Sequence, residues 1–161
     1  MKEDNQTKIA LKIERKIRQA EDDLVLAIVD ALDNTEYQKS GDKKLEESQF
    51  NNLLRVADTT ESPEVIKNFI FYQVGRGEKW GQGKKSLAAK IVEDINGDLK
   101  NKADEIFKEA FTKETSLEEN SETEIKKIWI QLIRRYLGYG SRYLKYLNTV
   151  NDPKNKLSAI I

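Results

Sequence analysis

The chain contains neither cysteine nor histidine among its 161 residues. Without them it can form no disulfide, no thiolate nucleophile, no Cys/His zinc site and no Ser-His-Asp or Cys-His triad. General acid–base chemistry would have to rest on Asp, Glu, Lys or Tyr side chains. We therefore expect that the protein is not an enzyme and that it holds no cofactor and no metal.

The chain also lacks an excess of charge and a long apolar run. Its 28 Lys and Arg balance its 28 Asp and Glu, so no overall positive charge indicates a nucleic-acid partner. No apolar run approaches the ~20 residues needed to span a bilayer, and the opening MKEDNQTK lacks the apolar segment of a signal peptide. We expect a cytoplasmic protein without a membrane partner.

Helical periodicity is the main structural signal, and proline occurs only twice. Apolar residues recur at intervals of three and four, whereas the alternation typical of strands is missing. This pattern predicts an all-α fold, a single helical-bundle domain over residues 1–161 with about five helices. The predicted helices cover 7–33, 45–57, 63 to 75 or 77, 84–86 to 111, and 124–150.

Four local signals refine these boundaries. The acidic run 21–23 is a candidate break in the first helix. Ser62 is a suitable cap for the third helix, and Pro63 suits its first position. Asn96-Gly97 is a candidate bend in the fourth helix, and Asp152-Pro153 is expected to end the last one.

The stretch NFIFYQVGRGEKWGQGKKS, residues 68–86, turns from an aromatic helix into a glycine-rich, cationic segment. A phosphate-binding P-loop would need glycine where Glu78 stands and Ser or Thr where Lys85 stands. Both a P-loop and a dinucleotide-binding fingerprint would also need a buried strand in front of the glycines. We therefore expect neither kind of nucleotide site here.

Acidic residues are abundant between positions 93 and 124. The pairs Asp94/Asp98 and Glu105/Glu109 have the i,i+4 spacing that could bind a divalent metal on one face of a helix. Such pairs are far more often solvated helix faces. We expect the solvated face for both pairs.

The last predicted helix reverses this charge, with six cations and no acid between 125 and 151. At about 100° per residue its cations fall mainly within one sector about 100° wide, with Tyr139 at the border of that sector. Two interpretations stay open: the solvated face of a core helix, or a stripe that contacts phosphates while tyrosine stacks on bases. The cations of the sector are Lys127, Arg134, Arg135, Arg142 and Lys145.

The stretch 68–86 adds a second candidate set of phosphate contacts. Lys84 and Lys85 are predicted at a helix start, where free N–H groups also favour phosphate. Trp80 has two interpretations, because it could stack on a base or anchor the loop to the bundle. The predicted nucleic-acid-binding residues of this stretch are Arg76, Lys79, Trp80, Lys84 and Lys85.

The order of these features resembles a known family. FNNLLRVADTTESPEVIKNFIFYQVGR, residues 50–76, is similar to the small subunits of class 1 CRISPR–Cas effector complexes, particularly the type III small subunit. There a helix is followed by a helix that ends in Tyr-x-x-Gly-Arg, matched here by Tyr72, Gly75 and Arg76. The terminal RRYLGYGSRYLKYL fits the same pattern, and the resemblance covers about 50–147. The N-terminal helix, the second glycine pair Gly81/Gly83 and the long acidic connection depart from the type III pattern. The type I-D small subunit is the other subtype that the chain resembles.

The resemblance implies a non-catalytic helical bundle present in several copies. Its implied partners are crRNA and target nucleic acid (guide–target heteroduplex or displaced strand), the CRISPR backbone and large subunits, and neighbouring copies of itself. Base pairing would supply the sequence specificity, and the small subunit would supply sequence-independent phosphate contacts. Two alternatives stay open: a helical protein–protein adaptor with a basic docking helix, and a membrane-surface role for the last helix.

Overall fold

The computed structural model describes residues 2–111 and 121–151, with side chains described from residue 4. A π-helical segment, Ile95–Leu99, joins the helices Leu87–Asp94 and Lys100–Ala110 without a break. Within these ranges there is no β-strand, only one isolated bridge between Glu36 and Ser86, so the predicted all-α bundle is confirmed. The helices are α1 Lys2–Gln19, α2 Glu21–Asn34, α3 Glu47–Thr59, α4 Pro63–Arg76, α5 Leu87–Asp94, α6 Lys100–Ala110 and α7 Ser121–Val150.

The helix boundaries follow the local signals closely. The first predicted helix is two helices that meet at Ala20, directly before the acidic run. The Ser62 hydroxyl accepts a hydrogen bond from the Val65 amide at 3.4 Å, and Pro63 begins α4 as predicted. Asn96-Gly97 lies within the π segment. Helix α7 begins three residues before the predicted start, and the stop signal Asp152-Pro153 lies outside the described residues.

Helix α7 is the centre of the bundle. It packs on α2, α3 and α6 and also contacts α1, α4 and the π segment. Because its neighbours cover it on several sides, only a strip of α7 faces solvent. Among the helices described here, none has the length and apolar character of a bilayer-spanning segment. The largest buried α7 side chains are Ile128, Ile130, Leu132, Ile133, Tyr136, Leu137 and Leu144.

A glycine on α7 allows a close approach to α2 and α3. A Cβ atom at Gly140 would lie 2.7 Å from Cε1 of Phe50 and 2.8 Å from Cγ1 of Ile28, closer than carbon atoms tolerate. Gly138 lies two residues earlier on the same helix, and a Cβ atom there would meet nothing within 4 Å. The two glycines therefore have different roles, and only Gly140 is required by packing.

A matched pair of substitutions tests this difference. Gly140→Ala is expected to lower the free energy of unfolding by about 1–3 kcal/mol, because the added methyl group overpacks the contact with Phe50. Gly138→Ala is expected to raise it by about 0.5–1 kcal/mol, through the better helix propensity of alanine. Denaturant unfolding followed by circular dichroism measures both. Changes of the same sign and size would contradict the assigned packing.

A buried carboxylate joins the end of α5 to α7. Asp94 is 3% exposed, accepts a 2.7 Å hydrogen bond from the Tyr136 hydroxyl and pairs with Lys90 at 3.0 Å. Burial raises the pKa of Asp94, although both partners act in the opposite direction. The expected solvated face is therefore wrong for Asp94, because Tyr136 and Lys90 satisfy its carboxylate inside the bundle.

The other carboxylates of the two predicted pairs behave as expected. Asp98, Glu105 and Glu109 are exposed, and Glu109 forms a surface ion pair with Lys16 at 2.7 Å. Among the described residues no group of three acidic side chains is arranged to hold a metal ion. These carboxylates are therefore a solvated surface.

Candidate nucleic-acid interface

The cationic sector of α7 lies on the solvent-facing strip of that helix. Lys127, Arg142 and Lys145 are exposed, and Arg134 and Arg135 are partly buried at the edges of the strip. The apolar face of α7 is buried in the core, so it is not available to enter a membrane surface. Whether the strip can receive phosphates depends on what its cations already contact.

Arg134 caps the C-terminal end of α3. Its Nε donates to the Ala57 carbonyl at 2.8 Å, and one terminal nitrogen donates to the Thr60 carbonyl at 3.0 Å. The last carbonyls of a helix have no partner within the helix, so a guanidinium group stabilises them by hydrogen bonding and by opposing the helix dipole. Two of the five N–H donors of Arg134 therefore hold the α3 terminus, and its phosphate contact stays a prediction.

Three further cations of the strip have acidic neighbours. Arg135 pairs with Glu21 of α2 at 2.9 Å, Lys127 lies 3.5 Å from Glu124, and the amino group of Lys145 lies 4.0 Å from a carboxylate oxygen of Glu47 in α3.

Tyr139 packs against the core, where burial raises the pKa of its hydroxyl, as does the neighbouring Glu21. Of the five predicted α7 cations, only Arg142 lacks a salt bridge or hydrogen bond to the described part of the chain. Three of the five cations therefore have a carboxylate partner, two of them in exposed pairs that contribute little. Arg135 and Tyr139 are held in place as parts of the α2–α7 contact.

A stability comparison separates the two kinds of arginine on α7. Arg134→Ala is expected to lower the free energy of unfolding by about 1–3 kcal/mol, because two carbonyls at the α3 terminus lose their donors. Arg142→Ala is expected to stay within about 0.5 kcal/mol of the parent, as for other exposed sites. Denaturant titration of both variants checks this. Equal losses, or none for Arg134→Ala, would contradict the capping role.

The segment 77–86 between α4 and α5 is anchored to the bundle by Trp80. Trp80 is 2% exposed, and its ring packs against that of Phe50 with 5.2 Å between centroids. The prediction of Trp80 as a base-stacking residue is therefore wrong, and its alternative, the anchor, is what the structure shows. A large aromatic ring is buried here because the segment is otherwise polar and needs an apolar attachment to the core.

Backbone hydrogen bonds join this segment to the loop between α2 and α3. The Glu36 amide donates to the Lys85 carbonyl at 2.9 Å, and the Gln38 amide donates to the Lys79 carbonyl at 3.2 Å. Gly81 has φ +80°, and a Cβ atom there would collide with the Glu36 carbonyl oxygen. Glycine is therefore required at this position, and the two loops form one fixed unit.

The predicted phosphate-binding helix start is wrong. Helix α5 begins at Leu87, so Lys84 and Lys85 lie in the loop before it. The first amides of α5 are already occupied: Leu87 N–H donates to the Glu36 carbonyl at 3.1 Å and Ala88 N–H to the Trp80 carbonyl at 3.1 Å. The Ser86 hydroxyl takes the next amide as the helix cap. Only the lysine side chains remain available there.

The joined loops present cations that no carboxylate of the described residues neutralises. Arg76, Lys84 and Lys85 are exposed, Lys79 is partly exposed, and none forms an ion pair within the described ranges. The α2–α3 loop adds the exposed Lys39, which follows Gln38, the residue whose amide donates to the Lys79 carbonyl. We define the basic corner as Lys39, Arg76, Lys79, Lys84 and Lys85.

The sequence could not assign Lys39 to this site, because the hydrogen bonds between the two loops join segments about forty residues apart. The two loops, 35–46 and 77–86, carry four exposed carboxylates (Glu36, Asp42, Glu46 and Glu78) and six lysines (Lys39, Lys43, Lys44, Lys79, Lys84 and Lys85). Together with Arg76 the cations outnumber these carboxylates by seven to four, so the corner keeps an excess of positive charge. An unneutralised cluster of cations attracts polyanions.

Two aromatic side chains are exposed beside the basic corner. Phe71 is 59% exposed and Tyr72 is 56% exposed, and the Arg76 guanidinium lies 5.5 Å from the centre of the Tyr72 ring. Lys67 lies on the opposite side of α4, where it is buried and bonded to Glu64 and Asn96. The i,i+4 spacing of Tyr72 and Arg76 was the sequence signal that could have identified this pair as a surface site.

Comparison of the chain with family models, with curated proteins and with solved structures finds no match. What can be said about function therefore comes from the molecule itself. It is an all-α helical bundle that presents a fixed basic corner beside exposed aromatic rings.

Proposed function

We propose that this protein contacts nucleic acid through the basic corner and catalyses no reaction, as a small subunit of a multi-subunit CRISPR RNA-guided complex. The observation that carries the proposal is the fixed loop unit that holds unpaired cations next to Tyr72. Cations beside an exposed aromatic ring are the combination that proteins use to bind nucleic acid without reading its sequence.

The geometry of the corner favours phosphate binding in two ways. The two loops are held by backbone hydrogen bonds and by Trp80, so little backbone entropy is lost when a ligand binds. The lysine and arginine side chains remain flexible and can follow a phosphate backbone, while the exposed Tyr72 face can stack on a base. Such contacts position a strand, and base pairing with a guide would supply the specificity.

The resemblance supports the setting of this role. Tyr72 and Arg76, two of the residues that carry the resemblance, are also the exposed pair at the edge of the corner. In this setting the partners are crRNA with its target, the backbone and large subunits, and further copies of the chain, all in the cytoplasm. Net neutrality fits such a subunit, since other surfaces must contact protein.

Charge reversal tests the proposal directly. Lys84→Glu/Lys85→Glu is expected to weaken binding of single-stranded RNA or DNA by at least about tenfold and to flatten its salt dependence by about one unit of slope or more. Fluorescence polarisation with a labelled oligonucleotide, measured over a series of salt concentrations, gives both quantities.

The matched control makes the same charge change on another helix. Lys8 and Lys12 are exposed on α1, which packs on α2, α6 and α7. Lys8→Glu/Lys12→Glu is expected to retain most of the affinity. Equal losses in both variants would show that binding depends on net charge alone and not on the basic corner. Absence of oligonucleotide binding by the parent protein at low salt would refute the proposal.

A second function, a protein–protein adaptor, is favoured by the outer face of α4. Val65 is 46% exposed, and Phe71 and Tyr72 are more exposed still, so this helix presents apolar surface to solvent. Exposed apolar patches often mark protein interaction sites. Phe71→Ala would then reduce capture of a protein partner and leave oligonucleotide affinity unchanged, whereas the lysine reversal would do the opposite.

A further inference from the structure

A cavity opens beside the basic corner, between α3 and the C-terminal end of α4. Its volume is about 300 Å³, at the lower end of the range for small-molecule sites. Its lining combines amides, cations and one aromatic ring, and includes no carboxylate among the residues described. The side chains that matter for its chemistry are Gln49, Asn52, Gln73, Arg76, Lys79 and Trp80.

The amides of the cavity have unused hydrogen-bonding capacity. The side chains of Asn52 on α3 and Gln73 on α4 form no hydrogen bond within the described ranges, and each offers a carbonyl acceptor and two N–H donors. Gln49 uses its carbonyl to accept from the Glu46 amide at 2.8 Å, which leaves its NH₂ group. These groups face one cavity from two helices, so a single ligand can meet several of them.

The inner side of the cavity is formed by Trp80, the anchor of the basic corner. Its indole N–H is buried and has no acceptor among the described residues, although buried donors are nearly always paired. Because this nitrogen is not exposed to the cavity, the ring contributes apolar surface to the lining rather than a hydrogen bond to a ligand. Arg76 and Lys79 add positive charge to the same lining.

We propose that this cavity binds one nucleotide, with its base at the amides of Asn52 and Gln73 and its phosphate at Arg76 and Lys79. Side-chain amides match the donor and acceptor edges of nucleobases, and exposed bases of single strands are recognised in this way. A phosphate ion alone would bind to the cations and leave the side-chain amides without a partner. The inference deepens the proposed function and rests on it: one base of a strand held at the basic corner enters the cavity. A free mononucleotide has the same chemistry, and the test separates the two sources.

The test uses the full chain and two labelled single-stranded oligonucleotides that differ only in bases: one is complete and one carries abasic sites. Asn52→Ala/Gln73→Ala is expected to lose at least about tenfold in affinity for the complete strand and little for the abasic strand, because phosphate contacts remain. Lys84→Glu/Lys85→Glu is expected to weaken both strands. Gln131→Ala removes an exposed amide from α7 and serves as the matched control, with circular dichroism melting to show that each variant folds.

The outcomes distinguish the two proposals. Unchanged affinity of Asn52→Ala/Gln73→Ala for the complete strand, while the lysine reversal still weakens binding, would overturn the nucleotide cavity and leave the basic corner intact. An equal loss for complete and abasic strands would overturn it as well. If no oligonucleotide binds the parent protein, the proposed function fails. Titration with AMP, CMP, GMP and UMP, followed by NMR of the side-chain amides, then shows whether the cavity binds a free nucleotide. Shifts that vanish in the double variant support a free nucleotide as its ligand, and no shifts overturn the inference.

Discussion

The close contact at Gly140 is the constraint on which the rest of the structure depends. Because this residue has no side chain, Phe50 of α3 and Ile28 of α2 can lie against the α7 backbone. The Phe50 ring also packs on Trp80, and Trp80 anchors the loop that carries the basic corner. A single missing Cβ atom in the core thus sets the position of a surface loop through two aromatic rings.

The fold determines which charged side chains are paired and which remain unpaired. Arg135 and Lys145 of α7 lie near Glu21 from α2 and Glu47 from α3, and Arg134 donates to the end of α3, so part of the positive charge of this helix is paired within the protein. The joined loops at the other cationic region contain fewer carboxylates than cations, and no carboxylate of the described residues forms an ion pair with the basic corner. Positive potential therefore survives at the corner, although the whole chain is neutral. The net charge of the chain indicates neither the paired cations of α7 nor the positive charge of the basic corner.

The accuracy of sequence-based prediction follows the range of the interactions involved. The Ser62 cap, the Pro63 start of α4 and the irregular helix at Asn96-Gly97 depend on residues a few positions apart, and all were predicted. The role of Arg134 depends on carbonyls 77 and 74 residues away, and it was not predicted. Asp94 is the same case, because its buried partner Tyr136 lies 42 positions further along. On a helical wheel Asp94 is only another acid in an acidic segment.

The sequence by itself determined the helices, their apolar faces and the absence of cysteine and histidine chemistry, because periodicity and composition act locally. It also limited the candidate phosphate contacts to two cationic regions. Only the tertiary structure showed which of these cations already have partners within the protein. Whether a cation is free depends on which carboxylates and carbonyls the fold brings within about 4 Å of it, the distance over which ion pairs form. The same fold buried Trp80, exposed Tyr72 and brought Asn52 and Gln73 to one cavity, since packing sets which face of each helix is covered.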